Sequence, residues 1–193
     1  MAGKNADRSR LNWQISASAA CISGLRRETA SIAASADAVI SALKHGRKIL
    51  TAGNGCSAAE ALHMAEEFVG RFRSNRRSLP AVALTADCTA LTCIGDDFGF
   101  DAVFSRQVEG LGNAGDVLVL FSTSGRAANL LNAVKVARKH RMVVVCVLGR
   151  DGGALAGLAD HEIIVAGDGT ERIQEAHQVI MHLILDAVET AFQ

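Results

Sequence analysis

Between residues 48 and 165 the chain alternates short apolar runs with amphipathic stretches, and that alternation leaves few folds open. The apolar runs fall at 48–52, 81–85, 117–121, 143–148 and 162–165. Helical spacing follows each of them, at 57–69, at 89–94 together with 104–111, at 127–140, at 154–158 and at 170–192. A strand that is apolar on both faces must be covered on both, and a helix between successive strands leaves those strands parallel. The pattern therefore predicts an α/β fold, a three-layer αβα sandwich around a five-stranded parallel sheet, for which the flavodoxin-like order 2-1-3-4-5 is expected. In that order the loops after strands one and three face each other at the switch point, where open α/β sheets bind ligands.

Ahead of the first strand, residues 7–44 contain no proline, and Leu11, Ile15, Cys21, Ile22, Leu25, Ile32, Val39, Ile40 and Leu43 recur at helical intervals. Two helices, or one broken near Gly24, are expected, so that residues 1–45 form a helical extension. This is more cover than one small sheet needs, and part of it is expected to pack against another subunit. At 193 residues, 49% hydrophobic and with Pro80 as the one proline, the chain suits a single domain spanning 1–193.

Charge and cysteine usage narrow the function classes. Lys plus Arg and Asp plus Glu are equal at 20 each, so no global positive field exists to hold a nucleic-acid backbone, and no nucleic-acid partner is expected. Cys21, Cys56, Cys88, Cys93 and Cys146 are odd in number and contain no C-x-x-C pair, which fits reduced thiols and a cytoplasmic protein. Lys4, Arg8 and Arg10 precede a small-residue stretch, but Asn12, Gln14, Ser16 and Ser18 interrupt any apolar core, so no signal peptide is expected. The apolar run at 143–148 is of strand length, far below a membrane span.

Two loops at strand ends carry ligand-binding chemistry. The run Val117 to Phe121 leads into Ser122, Thr123, Ser124 and Gly125 just before a helix, gathering three hydroxyls and free amide N–H groups where the helix dipole favours an anion. A phosphate fits; an isolated S-T-S-G would equally mean that Ser124 merely caps the helix. Gly53, Asn54, Gly55, Cys56 and Ser57 form the second loop, in which glycine permits close backbone approach and Ser57 can cap the next helix.

His63 with Glu67, four apart, and Gln174 with His182, eight apart, each return to one side of a helix among apolar neighbours. One such pair alone would mean a surface contact, and His182 among Ile180, Leu183, Ile184 and Leu185 also reads as a core histidine. Together they offer a metal site. Glu66 competes with Glu67 but is expected to face solvent, and His177 is expected at the surface. Eight helical residues advance about 12 Å, which is long for one ion to bridge. The site is therefore expected to be completed across a subunit interface. The basic run from Arg71 to Arg77 is expected to be a solvated loop, with one arginine able to reach the crevice.

These residues together resemble the sugar isomerase (SIS) domain family, and within it the bacterial phosphoheptose isomerases. The likeness rests on Ala-Gly-Asn-Gly at 52–55, His-Met-Ala-Glu-Glu at 63–67, Gly-Asp-Asp-Phe-Gly-Phe at 95–100, Ser-Thr-Ser-Gly at 122–125, Asp-Gly-Gly at 151–153 and Arg-Ile-Gln-Glu-Ala-His at 172–177. It implies a homotetramer that converts D-sedoheptulose 7-phosphate to D-glycero-D-manno-heptose 7-phosphate through an enediol. That is the first step towards nucleotide-activated heptose for lipopolysaccharide or capsule. It also implies zinc held by His63, Glu67, Gln174 and His182, and a substrate phosphate held by Ser122, Thr123 and Ser124. Asn54, Gly55, Cys56, Ser57, Asp96, Asp97 and Gln174 would complete the sugar contacts. Ketose–aldose exchange needs a base and an acid, assigned here to Glu67 and His182.

Three positions depart from the family pattern: Cys56 replaces a common glycine, Ala127 a serine and Glu171 an aspartate. Losing the serine hydroxyl should weaken phosphate binding by about 1 kcal/mol. Cys56 reads as a small apolar filler. Two rival functions are a non-enzymatic SIS tetramer that binds the replication initiator and a sugar-phosphate-sensing module. The first would not need Glu67 and His182, and the second would not need the metal residues; both sets are present.

Overall fold

The computed structural model describes residues 7–193; Lys4, counted above with the N-terminal charges, lies outside them. Asp7 opens the first helix, its carboxylate accepting the Ser9 N–H, and helix α1 runs Arg8–Gly24. A short 3₁₀ turn at Leu25–Arg27 separates it from α2, Thr29–Lys44, so the break falls directly after Gly24, as the sequence suggests.

The alternating region follows as β1 Ile49–Gly53, α3 Cys56–Val69, β2 Ala81–Ala83, α4 Cys88–Phe98, α5 Ser105–Leu111, β3 Val117–Ser122, α6 Ala128–Lys139, β4 Val143–Gly149, β5 His161–Val165 and α7 Thr170–Ala191. All neighbouring strands are parallel and the order is β2-β1-β3-β4-β5, the order that the sequence pattern predicts.

Each strand divides its side chains between two cores. Ile49, Val117, Val119, Phe121, Val145 and Val147 face a layer built by α2, α3 and α7, through Val39, Leu43, Met64, Phe68, Ile180 and Leu185. The alternate residues Leu50, Leu118, Leu120, Val144, Cys146 and Leu148 face Phe104, at the N-cap of α5, Val108 within it, and Leu130 and Val134 of α6. This is the three-layer sandwich; period-two alternation on a doubly covered sheet makes every residue of β1 and β3 buried.

Several boundaries differ from the sequence reading. Helix α4 extends to Phe98 because Asp87 caps its start, accepting from Thr89 and Ala90 N–H, and nothing stops it before Gly99 at φ 82°. The expected helix at 154–158 is only a 3₁₀ turn, Gly153–Leu155, because Gly152, Gly153 and Gly157 all hold positive φ. Strand β2 is shorter than expected and ends at Ala83. Among the described residues no helix is long and apolar enough to cross a membrane.

Candidate active site

In the register of β1 and β3, Gly53 stands opposite Phe121, so the loops that leave these strands start side by side. Between them, the Asn54 and Asn129 side-chain amides exchange two hydrogen bonds, of 2.9 and 3.0 Å. Asn129, in the first turn of α6, is buried, so this pair staples the β1–α3 loop to the β3–α6 loop. Asn129 has no signal in the sequence beyond its place after the serine loop. A side chain on Gly53 would lie 2.4 Å from the Ser57 carbonyl, so only glycine lets α3 begin so close to the strand end. Gly55 takes the N-cap position of α3 at φ 60°, and no side chain caps that end. Ser57 therefore sits inside the helix, buried, and does not cap it. Cys56 is exposed and fills no core space.

The serine loop is shaped by a second glycine contact. Ser122 Oγ accepts the Gly125 N–H at 3.0 Å, closing the turn. A Cβ on Gly125 would meet the Gly152 carbonyl at 1.8 Å, and one on Gly153 the Ser124 carbonyl at 2.3 Å, so Asp-Gly-Gly at 151–153 is the seat on which this loop rests. Helix α6 begins at Ala128 with Ala127 as N-cap and no side-chain cap, so Ser124 does not cap it and the first-turn N–H groups keep their anion-binding capacity. Thr123 and Ser124 are half-buried on the same loop.

On α3, His63 Nε2 lies 3.2 Å from Glu67 Oε1. From α7, His182 brings its ring to 5.5 Å from that of His63, edge to face, and the Phe72 ring stacks on His182 with centroids 5.7 Å apart. Burial, first, and then the neighbouring His63 and Arg73 hold the His182 imidazole below its ordinary histidine value, while Glu67 opposes them. His63, Glu66 and Glu67 place one ligand atom each within 4.8 Å, Glu66 from the exposed side.

Not every candidate joins this cluster within one chain. Glutamine at the His63 ring is Gln178, whose Oε1 is 3.2 Å from Nδ1, and not Gln174, which lies a further turn towards the start of α7. Gln178 stands four residues before His182, so both lie on one face of α7. Asp96 and Asp97 are exposed on α4, and Asp97 accepts a contact from Cys93 Sγ at 3.5 Å. His177 is fully buried, against the sequence expectation, 3.5 Å from the buried Glu60. In the basic segment, Arg76 turns inward: its side chain is 2% exposed and donates to the Glu67 and Phe68 carbonyls at the end of α3.

This is a doubly wound sheet with an anion-competent loop pair at its switch point and a histidine–carboxylate cluster between the helices that flank it. Residues 13–149 match the SIS domain model, and the chain belongs to the SIS-domain family. Within that family it stands with the phosphoheptose isomerases. It is 51% identical over 164 residues to the phosphoheptose isomerase of Geobacter metallireducens, covering 85% of this chain and 87% of the relative. Against the one from Geobacter sulfurreducens it is 48% identical over 177 residues, covering 91% and 94%. The solved phosphoheptose isomerase GmhA from Neisseria gonorrhoeae superposes with a TM-score of 0.90 at 40% identity, over 95% of this chain and 98% of that one. The one from Francisella tularensis gives 0.91 at 34% identity, over 94% and 97%.

Proposed function

We propose that the chain isomerises D-sedoheptulose 7-phosphate to D-glycero-D-manno-heptose 7-phosphate, the first step towards nucleotide-activated heptose for lipopolysaccharide or capsule. The observation that carries the reading is the meeting of His63, Glu67 and His182 between α3 and α7, in a chain about half identical to phosphoheptose isomerases over most of its length. The replication-initiator scaffold and the sugar-phosphate sensor would leave this cluster without a task.

The residues fit a zinc ion. Ligand atoms at about 2.0–2.1 Å from a tetrahedral centre are about 3.3 Å apart, close to the 3.2 Å between His63 Nε2 and Glu67 Oε1. His63 has oxygen neighbours at both ring nitrogens, yet a neutral imidazole has only one N–H, so a cation beside Nε2 satisfies what the ring cannot. His63, Glu67 and His182 would hold the ion, with Gln174 as the fourth ligand. When bound, zinc supplies polarisation and orientation of the sugar oxygens.

The proton chemistry belongs to the side chains. One Glu67 oxygen takes the proton from C1 of the ketose as His182 gives a proton to O2, which yields the enediol. Glu67 then returns its proton to C2 as the O1 hydroxyl gives its proton to His182, leaving the aldose and restoring both side chains. Burial, with His63 and Arg73 beside it, holds the His182 imidazole below its ordinary value, so the ring gives up a proton more readily. Ser122, Thr123, Ser124 and the first N–H groups of α6 hold the phosphate; Asn54, Gly55, Cys56 and Ser57 line the sugar, with Asp96 and Asp97.

The protein acts as a homotetramer in the cytoplasm, with each site near a subunit interface. Supporting this, Leu62 and Leu183, which flank His63 and His182, are 41% and 46% exposed, so the cluster opens onto an apolar surface. Helix α1 buries none of its residues and leaves Leu11, Trp13 and Ile15 in solvent.

The test is to incubate the protein with sedoheptulose 7-phosphate in deuterated water, with and without a chelator. Deuterium in the product, lost on chelation and restored by zinc, is expected. Zinc-replete protein giving neither heptose nor exchange would end the isomerase reading.

A further inference from the structure

His63 is bound at both ring nitrogens, and the two partners come from different helices. Glu67 Oε1, from the same helix α3, stands 3.2 Å from Nε2; Gln178 Oε1, from α7, stands 3.2 Å from Nδ1. A neutral imidazole has one donor nitrogen and one acceptor nitrogen, so the group on one side decides what the other can bind. Gln178 is half-buried, one turn before His182, with the fully buried His177 beside it in the chain to fix that face of α7 against the core.

The geometry points to Gln178 as a positioning residue: its side-chain carbonyl accepts the His63 Nδ1–H and so fixes the tautomer that presents the Nε2 lone pair to the metal beside Glu67. Histidines that ligate a metal commonly donate their other N–H to such an acceptor, which raises ligand basicity and locks the ring. Gln178 does this across the helix pair. It ties the half of the site on α3 to the half on α7 that carries His182, so ring orientation and helix spacing are set by one contact. The inference rests on the zinc-dependent isomerase reading and deepens it.

The experiment measures zinc affinity of the whole protein by competition with a chromogenic chelator, for the wild type, Gln178→Leu and Gln178→Glu. Thermal melts confirm that all three fold, and proton NMR of the zinc-loaded forms follows the His63 Nδ1–H. Leucine cannot accept a proton and should weaken zinc binding by about 10- to 100-fold. The Nδ1–H resonance, protected in the wild type, should then exchange rapidly with water. Glutamate, which can only accept, should retain both the affinity and the protected resonance. Unchanged affinity in Gln178→Leu overturns the inference while leaving the isomerase reading intact, and so does equal loss in both variants. A wild-type protein that binds no zinc overturns both.

Discussion

Glu60 and His177 are buried to 2% and 0% exposure, and among the described residues the only polar contact of their side chains is with each other, at 3.5 Å between Oε2 and Nδ1. Glu60 lies one turn before His63 on α3 and His177 lies next to Gln178 on α7, so the pair sits directly behind the proposed metal site. Removing one partner leaves the other buried and alone, whereas removing both leaves an apolar interior. Glu60→Ala should therefore destabilise the protein by about 3–5 kcal/mol, and Glu60→Leu with His177→Phe by much less, as read from urea unfolding midpoints. Equal losses would show that packing volume, not pairing, sets the stability there. At the site itself, Glu67→Gln keeps the size of the side chain but removes the base. Turnover should fall by at least about 100-fold, the low end of a general-base contribution, with phosphate binding spared. Near-native turnover would remove Glu67 from the base role. Neither Gln178 nor the Glu60–His177 pair was identified from the sequence. A polar residue in an apolar helix does not announce whether it points to solvent or to a partner on a helix over 100 residues away.

Elements were more legible than residues. Five parallel strands followed from doubly apolar runs, because a buried parallel strand leaves little choice of residue; their order matches the flavodoxin-like arrangement expected for the fold. The differences are local: the 153–155 turn, where left-handed glycines stop a helix, and Arg76, whose side chain turns inward from the largely exposed segment 71–77. That segment, exposed as its charge suggests, is also fastened by Glu189, whose carboxylate accepts the Arg73 N–H at 3.0 Å and the Ser74 N–H, with Arg76 at 3.8 Å. A comparable anchor ties the strand starts. Asp116, just before β3, accepts from Lys48 and Asn113 N–H at 3.0 and 2.9 Å and from the Lys48 ammonium. Burial alone would raise both carboxyls, but the hydrogen bonds outweigh it and hold each below the usual carboxylate value. Such groups bind protons more weakly folded than unfolded. Their stabilisation is present above the unfolded value and disappears as pH falls through the folded one. Asp116→Asn should reduce stability at neutral pH by about 1–3 kcal/mol and flatten the acid limb of the stability–pH profile. Matching urea midpoints for variant and wild type at neutral pH would rule out the anchor.

At the scale of the molecule, the chain's unpaired surfaces and unplaced residues coincide. Helices α1 and α4 bury no residue, yet α4 carries Asp96 and Asp97 and leaves Phe98 53% exposed. Gln174 and His182 share α7, an unbroken helix over Thr170–Ala191, so their separation along its axis is about 12 Å. The sequence could show that this spacing was awkward for one ion, but a single chain holds no information about which neighbour resolves it. If Gln174 acts on a neighbouring subunit's site, then Glu67→Gln and Gln174→Ala damage different subunits' contributions to one site. Each variant alone should be nearly inactive. Mixed by unfolding and reassembly, they form some sites with intact Glu67 from one chain and intact Gln174 from another. At equal mixing, random pairing gives both intact contributions to about one site in four, because each is independently intact half the time. Recovery of about a quarter of wild-type activity is the expected result, measured on mixtures whose tetrameric mass has been verified by light scattering. No recovery in such mixtures would place Gln174 and Glu67 in the same subunit's site, and α7 would then have to depart from its regular course when metal binds.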